Sequence, residues 1–183
     1  MKAKKHFGQH FLTSQTTAQK IVGGLGDVST RDILEVGPGM GILTQYLLEN
    51  AKSFKAVEID DDATDYLKKK WKNIEIIQAD FLKINLRDYY QTSFQLIGNF
   101  PYNISSQIVF KIIENSDLIS HWVGMFQLEM GIRLVAEPKD KKDYGILSVM
   151  LPFYYEVEQM MTLPPQAFNP PPRVNSIVVK ARK

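Results

Sequence analysis

The chain has 183 residues, a formal net charge of +2, and a composition that is 44% hydrophobic and 23% charged. These values are typical of one soluble globular domain with a substantial core, and no repeat or low-complexity tract interrupts the sequence. The net charge is too small to indicate a nucleic-acid partner by itself.

Several chemistries are excluded by residue types that are rare or missing. The chain has no cysteine, which excludes disulfides, thiolate zinc sites and cysteine nucleophiles, and disfavours cytosine C5 methylation because that reaction needs a thiolate. The three histidines, at positions 6, 10 and 121, lack metal-ligand spacing, so we expect no bound metal. No signal-peptide core or membrane-spanning apolar run occurs, which predicts a cytoplasmic protein that does not associate with membranes.

Strands and helices are predicted to alternate along most of the chain. Helices are predicted at residues 14–24, 43–47, 62–71, 108–113 and 131–136, where apolar residues recur with helical spacing. Short apolar runs between them predict strands at 32–36, 54–59, 74–78, 94–98 and 123–128. This alternation predicts a mostly parallel sheet with helices on both faces, in one domain of residues 1–183 that begins with an arm over residues 1–13.

The pattern changes after the polar loop 138–145. Residues 147–163 and 174–181 are predicted to form two long strands with no helix between them, as an antiparallel hairpin at the edge of the sheet. The connecting segment, AFNPPPRVNS at 167–176, contains three consecutive prolines and is expected to be stiff and extended.

A glycine-rich turn, GPGMG at 37–41, follows the first strand. The dinucleotide fingerprint would need a third glycine where Ile42 stands, and Pro38 removes an N–H that a phosphate cradle would use. The turn therefore favours a nucleoside-like ligand without phosphates, although such turns also serve ordinary packing.

Carboxylates end the next two strands, where ligands bind in sheets of this kind. Glu58 lies about twenty residues after the glycines, a position from which a carboxylate can accept hydrogen bonds from both ribose hydroxyls. Asp80 can accept from an adenine amino group, beside the ring of Phe81. The alternatives are a solvated helix-start carboxylate for Glu58 and a turn cap for Asp80. Together the three strand ends predict a pocket for an adenosine moiety.

The fourth strand ends in Asn99, Phe100, Pro101 and Tyr102. Pro101 lacks an N–H and holds Phe100 extended, which leaves the Phe100 carbonyl free to accept beside the Asn99 side-chain oxygen. Two adjacent acceptors suit an exocyclic NH2 group, and Tyr102 offers a face on which its ring stacks. We therefore predict attack of an amine on an electrophilic methyl group without a metal or a covalent nucleophile; the alternative is a strand-ending turn with buried aromatic rings.

The segments GQHFL, LEVGPGMGILT, VEID, QADF, NFPYNIS and FNPPPRVNS, in this order, resemble the ribosomal RNA adenine dimethyltransferase family over about residues 6–180. The resemblance implies an α/β, Rossmann-like class I methyltransferase fold with a seven-stranded, mostly parallel sheet and an antiparallel last strand. It implies transfer of methyl groups from S-adenosyl-L-methionine to N6 of two adjacent adenines near the 3′ end of small-subunit ribosomal RNA, with a role in subunit biogenesis. The implied partner is that RNA or the pre-30S particle, and we expect a monomer.

The resemblance also assigns roles to individual positions. By their places in these segments, the cofactor-binding residues would be His10, Leu12, Gly37, Glu58, Asp80 and Asn99. The catalytic residues, which hold the target base, would be Asn99, Phe100, Pro101, Tyr102 and Phe168. Family members often have Asn at position 10 and Leu at position 100, and they usually continue into a small helical C-terminal domain. This sequence ends just after the last predicted strand, so that domain is expected to be missing.

Three other functions remain open at the level of sequence. Large-subunit ribosomal RNA adenine methyltransferases of the macrolide-resistance type share many of these segments, although NPPPRVNS favours the small-subunit branch. Protein glutamine N5-methyltransferases use a similar turn on an amide NH2 group, but the aromatic residues Phe100 and Phe168 argue against that class. The third alternative is a non-catalytic ribosome assembly factor.

Overall fold

The structure, a computed structural model, describes residues 9–183. Its strands are β1 (Phe11–Leu12), β2 (Asp32–Val36), β3 (Ser53–Glu58), β4 (Ile76–Gln78), β5 (Phe94–Asn99), β6 (Ile119–Gln127), β7 (Glu156–Leu163), β8 (Phe168–Asn169) and β9 (Ser176–Arg182). Its helices are α1 (Gln15–Gly23), α2 (Thr44–Asn50), α3 (Asp61–Lys70), α4 (Ser105–Glu114), α5 (Leu128–Val135) and α6 (Ile146–Met150). None of these helices is long and apolar enough to span a bilayer.

Seven strands form one sheet in the order β4-β3-β2-β5-β6-β9-β7. Neighbours from β4 to β6 are parallel, whereas β9 runs antiparallel to both β6 and β7. This arrangement confirms the predicted α/β sheet with an antiparallel last strand, and it leaves β7 rather than β9 at the edge. The strand order reverses between β2 and β5, so a crevice is expected outside the carboxyl ends of these two strands.

Apolar side chains are buried on both faces of the sheet. Ile33 and Ile97 belong to one core cluster, whereas the residues next to them, Leu34 and Leu96, belong to the other. Successive side chains of a strand point to opposite faces. The central strands are therefore covered on both sides, which explains why they read as continuous apolar runs rather than as alternating patterns.

The predicted long strand over residues 147–163 is wrong in its first half. The structure has α6 there, followed by a 3-10 turn at Leu151–Phe153, and β7 begins only at Glu156. Leu147, Leu151 and Tyr155 are buried and recur every fourth residue, which is helical spacing. Pro152 lacks an N–H for a strand ladder and is tolerated in the first turn of a helix, so the apolar run folds helically.

The N-terminal arm lies along the proline-containing segment. Strand β1 pairs antiparallel with β8, Leu12 facing Phe168, and the Thr13 N–H donates to the Ala167 carbonyl at 3.0 Å. This two-stranded sheet was not predicted, because nothing local indicates a pairing across about 150 residues of chain. Residues 1–8 of the predicted arm lie outside the described part of the chain.

Candidate active site

A cavity of about 240 Å³ lies at the carboxyl ends of the central strands. Its walls come from the arm, the glycine turn after β2, the end of β3, the loop after β4 and the turn after β5. Eight residues predicted for the site line it: His10, Leu12, Gly37, Glu58, Asp80, Asn99, Pro101 and Tyr102. The structure thus brings together side chains that are scattered over about ninety residues of sequence, at the position where the strand order reverses.

The turn at residues 37–41 requires glycine at two positions, where a side chain would be strained or would clash. Gly37 and Gly39 have φ values of +67° and +55°, in the left-handed region that side chains disfavour. A Cβ on Gly39 would lie 2.9 Å from the Phe11 ring, so the arm also packs closely over the turn. The Gly39 N–H donates to Oε2 of Glu58 at 3.2 Å, which ties the turn to the end of β3.

Glu58 is a buried carboxylate held by backbone donors. It is 5% exposed, and its Oε1 accepts from the Asp60 N–H at 3.0 Å. Burial raises the pKa of Glu58, although the N–H groups of Asp60 and Gly39 act in the opposite direction. These contacts fix the side chain, and each oxygen keeps a second lone pair for a ligand hydroxyl. The alternative of a solvated carboxylate at this position is wrong.

Glu35 is a second buried carboxylate, which the sequence analysis did not single out. It is 1% exposed, lines the cavity, and accepts a hydrogen bond from the Thr44 hydroxyl on Oε2 at 2.6 Å. Its Oε1 has no donor among residues 9–183. Burial raises the pKa of Glu35 to about 8, and the charge of Glu58 adds to that effect. The available signal was a charged residue inside the otherwise apolar run of β2.

Asp80 caps the loop after β4 and also faces the cavity. Its Oδ1 accepts from the Leu82 N–H at 2.9 Å, which is the turn cap given as the alternative to ligand binding. Its Oδ2 has one ion pair, with Lys83 at 3.9 Å. The cap orients the carboxylate, so capping and ligand binding are compatible here. Phe81, next to Asp80, is buried against the same wall of the cavity.

The orientation of the Asn99 amide is fixed by the arm. Its Nδ2 donates to the backbone carbonyl of His10 at 2.7 Å. Because a carbonyl can only accept, the NH2 end of the amide must face His10, and Oδ1 must face the other way. No donor in the described part of the chain reaches that oxygen, and Asn99 lines the cavity. The site therefore holds an acceptor of fixed orientation that no donor from residues 9–183 satisfies.

Tyr102 and His10 close one side of the cavity. Their rings are stacked, with centroids 5.4 Å apart and planes inclined by 23°. The Tyr102 hydroxyl is hydrogen-bonded to the Ser176 hydroxyl, and Nδ1 of His10 donates to the Pro170 carbonyl at 2.8 Å. Burial raises the pKa of Tyr102, so its hydroxyl stays protonated. These contacts join the arm, the turn after β5 and the proline-containing segment.

The rings of Phe100 and Phe168, two residues predicted to hold the target base, do not line the cavity. The Phe100 ring is 1% exposed and packs edge-on against Phe126, with centroids 5.3 Å apart. Phe168 is 3% exposed and packs in the apolar cluster that contains Leu12. The structure therefore does not place either ring against a target base. The role predicted for Phe100 uses its backbone carbonyl, on which the burial of the ring has no bearing. The Phe168 ring packs against Leu12 of the arm.

Metal-binding side chains do not converge in the described part of the chain. Across residues 9–183, no group of three or more His, Asp or Glu residues has a geometry that could hold an ion.

Comparison with known proteins assigns the chain to a family. Residues 1–183 match the family model described as Ribosomal RNA adenine dimethylase. The chain belongs to the ribosomal RNA adenine dimethylase family. It is 47% identical to Ribosomal RNA small subunit methyltransferase A of Cytophaga hutchinsonii, over 100% of this chain and 72% of that protein. It is 46% identical to the protein of the same name from Bacteroides fragilis, over 98% of this chain and 67% of that protein. The resemblance predicted from the sequence is confirmed.

Solved structures of this dimethylase fold superpose closely. A dimethyladenosine transferase from Plasmodium falciparum has a TM-score of 0.84 at 31% identity, covering 94% of this chain and 63% of that one. The 23S rRNA methyltransferase ErmE has a TM-score of 0.82 at 30% identity, covering 94% of this chain and 69% of that one. The predicted Rossmann-like methyltransferase fold is therefore confirmed. This chain spans about two thirds of the length of both structures.

Proposed function

We propose that this chain is an S-adenosyl-L-methionine-dependent methyltransferase that dimethylates N6 of two adjacent adenines near the 3′ end of small-subunit ribosomal RNA. Its partner is that RNA, free or in the pre-30S particle, which it meets as a monomer in the cytoplasm during subunit biogenesis. The observation that carries the proposal is the orientation of the Asn99 amide. Its Nδ2 donates to the His10 carbonyl, and its Oδ1 has no donor among residues 9–183 and lies at the cavity.

The donor and acceptor groups of the cavity fit S-adenosylmethionine. The walls present carboxyl oxygens of Glu35, Glu58 and Asp80, which can accept hydrogen bonds from a ligand. The cofactor carries ribose hydroxyls, an adenine amino group, an ammonium and a sulfonium, and it has no phosphate for the glycine turn to hold. Glu58 would bind the ribose, Asp80 the adenine amino group, and Gly37 would let the ligand approach the backbone closely.

The residues beside the cofactor would prepare the target amine. When bound, S-adenosylmethionine supplies an electrophilic methyl group. Asn99 Oδ1 and the Phe100 carbonyl would accept hydrogen bonds from the two N–H groups of adenine N6, which favours a pyramidal nitrogen whose lone pair is available for attack. Each methyl added to N6 then requires the release of one N6 proton to solvent. Tyr102 supplies a ring face for the base, which must leave its stack to enter. Because both acceptors belong to the turn that Pro101 holds, they are positioned before the base arrives.

The relatives favour this function over the alternatives. Those with 42% to 47% identity carry small-subunit methyltransferase names, whereas the large-subunit enzyme ErmE is 30% identical. Protein glutamine methylation and a purely non-catalytic assembly role have no support among them.

The role of Asn99 can be tested by substitution in a methylation assay. We expect Asn99→Ala to lower the rate of methyl incorporation into unmodified small-subunit RNA by about 10²–10³-fold, the usual loss for one oriented polar group. Asn50→Ala is the matched control, since Asn50 is exposed and bonds only within its own helix. Calorimetry with the cofactor separates binding from catalysis. An Asn99→Ala protein with wild-type activity would contradict the assigned role.

A further inference from the structure

Lys111 links α4 to the loop that follows β4. Its Nζ donates to the Leu82 carbonyl at 3.1 Å and to the Ile84 carbonyl at 2.5 Å, and lies 5.4 Å from the centroid of the Phe81 ring. The side chain is partly buried, and burial lowers the pKa of Lys111 while Glu114 and Asp80 oppose that change. Two of the three N–H donors of this ammonium thus bond to one loop, which restricts the conformation of that loop.

The loop at residues 80–84 depends on contacts such as those of Lys111 for its stability because of its position. Strand β4 is three residues long and lies at the edge of the sheet, so the loop has a neighbouring strand on one side only. Inside the loop, the N–H groups of Leu82, Lys83 and Ile84 all donate to Asp80. The Leu82 and Ile84 carbonyls accept no backbone N–H in the described part of the chain, and Lys111 donates to both of them.

The same loop forms the wall of the cavity to which the proposed function assigns the adenine ring. Asp80, Phe81 and Leu82 all line the cavity, so a shift of this loop would displace the acceptor for the adenine amino group together with the ring beside the base. Helix α4, which carries Lys111, follows directly on the Asn99–Tyr102 turn through a 3-10 turn at Tyr102–Ile104. Lys111 therefore connects loop 80–84, to which the adenine ring is assigned, with helix α4, which follows the turn assigned to the target amine.

We propose that Lys111 is a positioning residue, which fixes loop 80–84 in the shape that recognises the adenine base of the cofactor and so sets selectivity for an adenosyl over an inosyl group. This inference rests on the proposed function, because it concerns the same cofactor site. Lys111 itself does not line the cavity and does not touch the reacting atoms.

The test compares cofactor binding by Lys111→Met, Lys111→Arg and Lys83→Met with that of the wild type. Lys83 is the matched control: it lies in the same loop, is 84% exposed, and is 3.9 Å from Asp80, so its loss removes the same charge without the carbonyl contacts. Dissociation constants are measured by calorimetry for S-adenosylhomocysteine and for its inosyl analogue, which lacks the adenine amino group. KM and kcat for S-adenosylmethionine are measured in parallel.

For Lys111→Met we expect about tenfold weaker binding of S-adenosylhomocysteine, or about 1.4 kcal/mol. The inosyl analogue should lose clearly less, about two- to threefold, because it depends on the Phe81 ring but has no amino group for Asp80 to bind. KM should rise in the same proportion while kcat changes little, and Lys111→Arg should recover most of the loss because it keeps the donors. Lys83→Met should match the wild type. If Lys111→Met folds poorly, as judged by thermal melting, Lys111→Gln replaces it and should give an intermediate constant.

Two results would overturn the inference while the proposed function stands. One is wild-type affinity in the Lys111 variants, and the other is an equal loss for both ligands, which would indicate a general structural role. A wild-type protein that binds neither ligand would overturn the proposed function, and this inference with it.

Discussion

Glu35 should make the stability of the ligand-free protein depend on pH, and the Glu35→Gln substitution isolates that effect. The folded state holds a proton on Glu35 up to a pKa of about 8, whereas the unfolded chain loses it near the ordinary glutamate pKa of 4.5. Between these values unfolding releases a proton, so a rise in pH favours the unfolded state. The neutral amide of the variant removes this penalty and can still accept the hydrogen bond from Thr44.

The size of the effect follows from the same two values. A change in pKa from 4.5 to about 8 corresponds to about 5 kcal/mol at about 1.4 kcal/mol per pKa unit. Water entering the cavity beside Glu35 would solvate the carboxylate, so we expect the variant to be more stable than the wild type by about 2–5 kcal/mol at pH 9. Near pH 4.5 the side chain is neutral in the folded state and only half ionised in the unfolded state, so the difference should be small.

Denaturant unfolding of both proteins at a series of pH values between 5 and 9 measures this difference. Other groups that titrate in both proteins largely cancel in the comparison, and Glu49→Gln on the exposed side of α2 serves as the control. A difference in unfolding free energy that stays constant from pH 5 to pH 9 would refute the reasoning. So would a variant that is less stable than the wild type at pH 9.

Two further substitutions test the walls of the cavity. Gly39→Ala should destabilise the protein by about 1–3 kcal/mol and weaken cofactor binding, because the residue has φ of +55° and the new Cβ would meet the Phe11 ring. Thermal melting and calorimetry measure the two effects, and Gly145→Ala, where the new Cβ would lie in open space, is the control for both. Tyr102→Phe should retain most methylation activity because it loses only the bond to Ser176, whereas Tyr102→Ala should lose about 1–3 kcal/mol of stacking. Equal kcat/KM values for the two Tyr102 variants would show that the ring is not a stacking platform.

The five parallel strands of the sheet could be predicted from the sequence to within a few residues. Strand β2 was predicted with its observed bounds, because a strand buried on both faces gives a continuous apolar run that a glycine turn ends sharply. The same reasoning located Glu58 and Asn99, since parallel strands place their carboxyl ends along one edge of the sheet.

The remaining features depend on contacts that local patterns do not encode. Helix α6 was not predicted because its segment is a continuous apolar run, and such a run has no polar–apolar pattern by which a strand and a helix can be told apart. Only the burial of every fourth residue in the structure shows the helix. The pairing of β1 with β8 joins distant segments, so the sequence could not show that the Phe168 ring is buried beneath the arm rather than exposed to a ligand. Glu35 was missed because its importance comes from burial beside Glu58.

Product analysis tests the central claim most directly. The protein is incubated with S-adenosylmethionine labelled in its methyl group and with small and large ribosomal subunits that lack the modification. The nucleosides of each RNA are then separated and identified by mass spectrometry. We predict that the label appears in small-subunit RNA as N6,N6-dimethyladenosine. Label confined to large-subunit RNA or to protein, or the absence of any labelled nucleoside, would contradict the account.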